Sequence, residues 1–252
     1  MIYVTGFHAI EEKIKSGEVA GSLLVAKAGP RAKKLLDLAH NRTVRVERVG
    51  TFDLDRLAPG NRGIVLVIDS DMHDDSGVHV TVEEFIDGLN EEKRTDVLVA
   101  VLDEITDPHN YGAILRSCDQ FGVDLVITRN RRIAKHADVI SKTSAGADVW
   151  VAVAEVANLP RAVETLKQAS FWIYGADMDG EAVYTMNLSG RVALILGGEG
   201  SGISRLLREH CDAFVAIPSR GRIDSLNVSV AAGVLFYEVM RQRLSVSYIS
   251  NH

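Results

Sequence analysis

The sequence predicts an α/β protein in two parts, a parallel-sheet domain over residues 95–252 and a smaller α/β unit over 1–68. Three observations carry this. From Asp96 onward, short continuous apolar runs recur at regular intervals, the pattern of strands buried on both faces of a parallel sheet. Helical periodicity fills the gaps between them, as β–α alternation requires. Before them, Asp69-Ser70-Asp71-Met72-His73-Asp74-Asp75-Ser76-Gly77 interrupts a first α/β alternation with acidic and turn residues, the composition of a linker.

In chain order, Ala9–Ser16 reads as a helix, Ser22–Ala26 as a strand and Arg31–His40 as a basic helix. Strands follow at Val44–Val49 and Gly63–Ile68. Residues 69–94 form the acidic linker with a short amphipathic helix, Val82–Glu92. In the larger domain the strands are Val97–Leu102, Leu125–Thr128, Phe171–Gly175, Val192–Gly197 and Phe214–Ile217. The helices are Tyr111–Phe121, Leu159–Ala169, Ser204–His210 and Val228–Arg243. In the last helix, Val230, Val234, Tyr237 and Met240 suit a buried face.

Charge bears on partners through its distribution. The net charge of −6 divides into +4 over residues 1–68, −7 over 69–94 and −3 over the rest. The acidity is concentrated in the linker, so the −6 does not exclude RNA. No apolar run is long enough to span a bilayer, and Met1–Gly6 lacks the basic and apolar regions of a signal peptide. Cys118 and Cys211 lie far apart and read as core thiols, so a reducing, cytoplasmic compartment is expected. The eight histidines show no ligand-like spacing, and no metal is expected.

Three segments depart from ordinary α/β composition. In the first, Asp107–Ser117, Asn110 stands where a helix N-cap would be, with Ile114, Cys118 and Phe121 as the buried stripe behind it. Arg116 points about 200° away from Ile114. Read alone, this is a capped helix with one solvated arginine; a functional arginine here would bind phosphate through its planar fork. The second, Leu196-Gly197-Gly198-Glu199-Gly200-Ser201-Gly202, is a glycine-rich turn after a buried strand, where backbone N–H groups can approach a ligand. The dinucleotide fingerprint fails because its last glycine position, counted from Gly198, is Ile203; no Gly-Lys-Ser/Thr makes a phosphate loop. The third runs from Ile217-Pro218 through the basic loop to Ser225-Leu226-Asn227-Val228-Ser229. Ser225 and Asn227 could simply cap the last helix.

Taken in order, the three segments resemble the motifs of the SpoU (TrmH) family of RNA 2′-O-methyltransferases, over essentially all of residues 96–243. Val4-Thr5-Gly6-Phe7-His8-Ala9-Ile10 is similar to the opening of the ribosomal-protein-like RNA-binding domain in the family's RlmB-type members. Those members methylate a guanosine ribose in the peptidyl-transferase region of large-subunit (23S) rRNA. The resemblance implies a C-terminal trefoil knot, which general connection rules would discard, a homodimer, and S-adenosyl-L-methionine as cofactor. It implies cofactor contacts from Leu196, Gly197, Gly198, Ile217 and Leu226, with Ser144 and Gly146 approaching as well. Ser219 departs from the family, which usually has Met after Ile-Pro.

By the same resemblance Arg116 is the central catalytic residue, with Asn110, Glu199, Ser225 and Asn227 completing the site. A guanidinium is a poor base. The expected role of Arg116 is to hold the adjacent phosphate and stabilise oxyanion charge, with that phosphate relaying the proton. The RNA surface is expected to join Arg31, Lys33, Lys34, Arg42 and Arg45 to Arg129, Arg131, Arg132 and Arg220. Rival readings are a tRNA ribose methyltransferase, a resistance-type rRNA methyltransferase, and a non-catalytic RNA-binding ribosome-assembly protein. An NAD-dependent oxidoreductase is disfavoured by the failed fingerprint.

Overall fold

The computed structural model describes residues 2–16, 21–58, 60–68, 78–129, 137–221 and 225–249. The expected linker over 69–77 lies outside them.

The N-terminal unit comprises β1 (Ile2–Thr5), α1 (Phe7–Ser16), β2 (Gly21–Val25), α2 (Pro30–Asn41), β3 (Arg45–Arg48), α3 (Thr51–Leu57) and β4 (Ile64–Ile68). Its sheet runs β1-β4-β2-β3, with β4 antiparallel to both neighbours and β3 parallel to β2. Ile10 and Ile14 of α1 and Leu35 and Ala39 of α2 cover one face, where they meet Leu23, Ile64 and Leu66. Leu54 of α3 covers the other with Leu24 and Val65. Strand β1 and helix α3 were not expected from periodicity. Each is too short for its pattern to stand out.

The larger domain contains β5 (Val78–His79), α4 (Val82–Glu91), β6 (Val97–Asp103), α5 (Pro108–Phe121), β7 (Leu125–Thr128), α6 (Ala137–Ser144), β8 (Ala152–Glu155) and α7 (Leu159–Gln168). It continues with β9 (Trp172–Ala182), β10 (Arg191–Gly197), α8 (Arg205–Arg208), β11 (Ala213–Ala216) and α9 (Val228–Ile249). Among the described residues its sheet is seven-stranded in the order β11-β9-β10-β6-β7-β8-β5, and every pair is parallel. Helices α5 and α9 cover one face, where Ile114, Leu115, Leu235 and Phe236 pack on Leu98, Ala100 and Leu194. Helices α4 and α7 cover the other, with Leu89, Val163 and Leu166 on Val99, Val101 and Ile195. The order of strands switches between β6 and β10: β7 and β8 lie on one side of β6, and β10 and β9 on the other. The loops at their carboxyl ends therefore part, leaving the crevice where open α/β sheets bind ligands.

Local chemistry sets the helix starts. Thr81 and Glu84 form a reciprocal capping box at α4, Glu84 N–H to Thr81 Oγ1 at 3.1 Å and Thr81 N–H to Glu84 Oε2 at 2.9 Å. The Thr81 N–H bond, and after it a bond from the Thr81 hydroxyl to Glu84 Oε2 at 2.8 Å, hold the Glu84 carboxyl below its ordinary pKa. Helix α5 starts earlier than expected. Asp107, not Asn110, is its N-cap, accepting from His109 N–H at 2.9 Å. Pro108 then occupies the first turn, where its missing N–H costs nothing, and Asn110 is released for another use.

In α9 the expected inner face is wrong. Val228, Ala232, Leu235, Phe236 and Val239 are buried, while Val230, Val234 and Tyr237 are 51%, 39% and 49% exposed. The helix is apolar on both stripes, so periodicity could not choose between them. Its far end is held by Arg243, whose Nη2 donates to the carbonyls of Val97 and Gly190 at 3.0 Å each. Both cysteines are reduced; Cys118 is buried and Cys211 partly so, and burial pushes the Cys211 thiol up to about 11.

The two units touch. Trp150 Nε1 donates to Glu12 Oε2 at 2.6 Å, and Gly146 lies against Glu12 and Ala9 of α1. Burial pushes the carboxyl of Asp148 up, against its hydrogen bond from Ser144 and the nearby charge of Lys13.

Helices α5 and α6 cross at Gly112, where a Cβ would stand 1.9 Å from Thr143 Oγ1 and 3.0 Å from the Ile140 carbonyl. Thr143 Oγ1 is itself bonded to the Val139 carbonyl at 2.8 Å and cannot turn away freely. Gly112→Ala is expected to cost about 1–3 kcal/mol, read as a lowered thermal midpoint.

Candidate active site

At the carboxyl ends of β6 and β10, three loops are joined by side chains. Asn227 Oδ1 accepts from Ser229 N–H at 2.9 Å and so caps α9. A backbone N–H can only donate, which fixes the orientation of the amide: Nδ2 must face the other way. It donates to Asn110 Oδ1 at 2.9 Å and to Glu199 Oε1 at 2.8 Å. Asn110 Nδ2 closes the triangle on Glu199 Oε1 at 2.9 Å. Asn227 therefore serves as both cap and clamp, and every polar atom of its side chain is used.

The glycine loop is shaped by backbone contact. A Cβ on Gly197 would fall 2.1 Å from the carbonyl carbon of Gly202, and one on Gly198 would fall 2.8 Å from the Glu104 carbonyl oxygen. Gly200 and Gly202 take φ of 84° and 63°, the left-handed region where a side chain is strained. Gly202 N–H donates back to the Gly198 carbonyl at 3.0 Å, and buried Asp103 accepts from Ser204 N–H at 2.8 Å to close the turn. The result carries Glu199 outward beside Asn110.

Two cavities flank this triangle. One, of about 540 Å³, is lined by the expected Leu196, Gly197, Gly198, Ile217 and Leu226, together with Glu199, Ser225 and Asn227. The size and mixed lining suit a small-molecule cofactor. The other, of about 820 Å³, opens on the β6 and β7 side and shares Gly198, Glu199, Ser201 and Val228 with the first. Its floor is Leu102, Thr128 and Asn110.

Sequence reasoning missed the third wall of the smaller cavity, Ala176, Asp177 and Met178. Strand β9 pairs with β11 at Phe214↔Gly175 and next at Val215↔Glu181, so the intervening residues bulge toward the cavity. Asp177 pairs with Arg208, whose guanidinium lies 4.3 Å over the Phe214 ring; that bond holds the Asp177 carboxyl below its ordinary pKa. The only available signal was the polar Asp-Met-Asp-Gly after an apolar run.

Other expected residues lie elsewhere. Ser144 and Gly146 do not line the cofactor-sized cavity, which corrects that expectation. Ser144 is buried against Asp148 (2.7 Å) and Gly146 against α1, because the segment after α6 turns toward the N-terminal unit. Arg116 is exposed on α5 and lines neither cavity. Its neighbour Ser117 abuts Gly233 of α9. Arg31, Lys33, Lys34, Arg42 and Arg45 are exposed on the N-terminal unit, and Arg129 and Arg220 are exposed beside the cavities; Arg131 and Arg132 lie outside the described residues. No helix among the described residues is long and apolar enough to cross a membrane.

Comparisons with known proteins find relatives along nearly the whole chain. The model of the SpoU rRNA Methylase family matches residues 97–237, and a model described as RNA 2′-O ribose methyltransferase substrate binding matches residues 3–72. A protein of Neisseria meningitidis named 23S rRNA (guanosine-2′-O-)-methyltransferase RlmB is 37% identical over 96% of this chain and 95% of its own. A Borreliella burgdorferi protein named as an uncharacterized tRNA/rRNA methyltransferase is 36% identical over 88% of this chain and 98% of its own. Among solved structures, the SpoU methyltransferase AviRb of Streptomyces viridochromogenes in complex with AdoMet superposes with a TM-score of 0.71. It is 25% identical and covers 97% of this chain and 91% of that one.

The clamp yields a test. Asn227→Ala is expected to cost about 1–2 kcal/mol through the lost cap and hydrogen bonds. Asn227→Asp keeps the acceptor for Ser229 but sets a carboxylate against Glu199. It should melt below Asn227→Ala at neutral pH and recover as the pH falls toward ~4, where one carboxyl of the pair takes up a proton. Thermal melts of both variants across pH 4–8 check the order.

Proposed function

The chain belongs to the SpoU rRNA Methylase family, and from that premise we propose that it transfers a methyl group from S-adenosyl-L-methionine to the ribose 2′-hydroxyl of a guanosine in 23S rRNA. One observation carries the assignment to this site: the Asn110–Glu199–Asn227 triangle stands between two contiguous cavities, one cofactor-sized and one open to a larger ligand. A nucleotide in the larger cavity would present its ribose at the wall shared with the smaller.

The residues present fit the cofactor. Leu196, Ile217 and Leu226 offer apolar contact for an adenine, and Gly197 and Gly198 bring backbone where no side chain has room. S-adenosyl-L-methionine supplies the electrophilic methyl group; the protein's work is alignment and management of the hydroxyl proton. The two amides hold Glu199 at the wall both cavities share, where its carboxylate would accept from the ribose, and Ser225 would face the ribose from the lining of the smaller cavity.

Arg116 does not reach its own chain's cavities, and we read it as acting across a dimer. The exposed stripe Val230, Val234 and Tyr237, joined to α5 by an edge contact of Tyr237 with Phe121 at 5.9 Å, is the surface a second copy would cover. Such a dimer would carry Arg116 to the partner's site, where it would hold the phosphate beside the reacting ribose. Residues 196–202, 217–219 and 225–227 are read as part of the family's trefoil knot, with support from their convergence on one cavity. The exposed cations of the N-terminal unit would track the RNA backbone. Cytoplasmic location follows from an rRNA substrate.

Arg116→Ala should lower methyl transfer to a 23S rRNA transcript by about 100-fold or more, with S-adenosyl-L-methionine affinity by calorimetry unchanged. Wild-type-like turnover would sink the assignment. Mixing Arg116→Ala with Asn227→Ala subunits separates the two arrangements. Action across a two-fold dimer restores one intact site per mixed dimer, or roughly a quarter of wild-type activity, whereas action within one chain restores none.

A further inference from the structure

The larger cavity is bounded by charges that the site does not use. Of its charged side chains, Asp107 caps α5 through Oδ1, and Glu199 holds the two amides through Oε1 at the wall assigned above to the ribose. Glu104 and Arg129 remain. They face one another from the ends of β6 and β7 with Glu104 Oε1 and Arg129 Nη2 3.9 Å apart, too far for a direct hydrogen bond. Both side chains are about half exposed, at 52% and 55%. Glu104 is held in place through its backbone: it takes φ of 57°, and its carbonyl packs against Gly198 of the glycine loop. Among the described residues, a carboxylate and a guanidinium with bonding capacity to spare therefore stand side by side over the cavity next to the triangle.

We infer that Glu104 and Arg129 read the base of the target nucleotide, and that the base they select is guanine; this rests on the function proposed above. The Watson–Crick edge of guanine presents N2–H, N1–H and O6 in a row. A carboxylate accepts from the first two in parallel, and an adjacent guanidinium donates to the third. Adenine sets an acceptor, N1, against the carboxylate and a donor, its 6-amino group, against the guanidinium, so both contacts become unfavourable. Of the uncharged polar lining, the hydroxyls of Thr106, Thr128 and Ser201 can donate or accept and do not discriminate, and the Asn110 amide is held by the triangle. Single-stranded RNA is commonly read in this way, through a splayed base bonded on its Watson–Crick edge.

The test uses the full-length protein and 23S rRNA transcripts carrying guanosine, inosine or adenosine at the position that the wild-type protein methylates. Inosine lacks only the 2-amino group. Wild-type kcat/KM is expected to favour guanosine over inosine by about tenfold or more, and Glu104→Gln to bring that ratio close to one. Arg129→Ala should lower guanosine and inosine alike, since both carry O6, and narrow the preference over adenosine. Unchanged S-adenosyl-L-methionine affinity shows that both variants retain the site. A Glu104→Gln variant that keeps the wild-type guanosine-to-inosine ratio, or a wild-type ratio near one, overturns the inference. Absence of any methylated guanosine with wild-type protein instead defeats the functional reading and this inference with it.

Discussion

The amide of Asn227 is the constraint on which the site depends. A helix start must satisfy its first N–H groups, and here one acceptor oxygen does so for α9. That bond fixes the amide, and the two N–H groups on its other side then join the α5 start to the glycine loop. Three segments far apart in sequence are thus set by one planar group. A serine or aspartate would cap equally well but could not donate both remaining bonds.

The parallel sheet makes that convergence possible. Strand order reverses between β6 and β10, and the loops that follow them diverge, opening a crevice at their carboxyl ends. Helix α9 then returns across α5 and brings residues 225–227 to the same edge. Glycine at 197 and 198 lets the backbone turn where a side chain would collide with Gly202 or Glu104. The bulge in β9 completes the smaller cavity by pushing Asp177 and Met178 into its wall. Shape here comes mostly from backbone, and polarity from four or five side chains.

The N-terminal unit is joined to this domain by specific contacts as well as by the linker. Glu12 receives the Trp150 indole N–H, and the segment holding Ser144, Gly146 and Asp148 turns toward α1. That use explains why 144–146 is absent from the cofactor-sized cavity. The motif-like run of small residues is a close-packing surface, with Gly146 against Glu12 and Gly112 against Thr143.

By itself the sequence determined the fold class, and the resemblance of its ordered motifs gave the expectation that Asn110, Glu199 and Asn227 share one site. Short apolar runs recurring at regular intervals between helical segments select strands buried on both faces of a parallel sheet, and three ordered motifs are more specific than any one alone. Tertiary structure alone decided the rest. Asp107 displaced Asn110 as the cap because an Asp followed by Pro one position later satisfies the helix start without it. The inner stripe of α9 proved to be Val228, Ala232, Leu235 and Val239, because both of its stripes are apolar and only packing against the sheet selects one. Arg116 lies away from its own cavities for a like reason: a helical wheel gives direction about one axis, while distance to a ligand depends on where the whole helix sits.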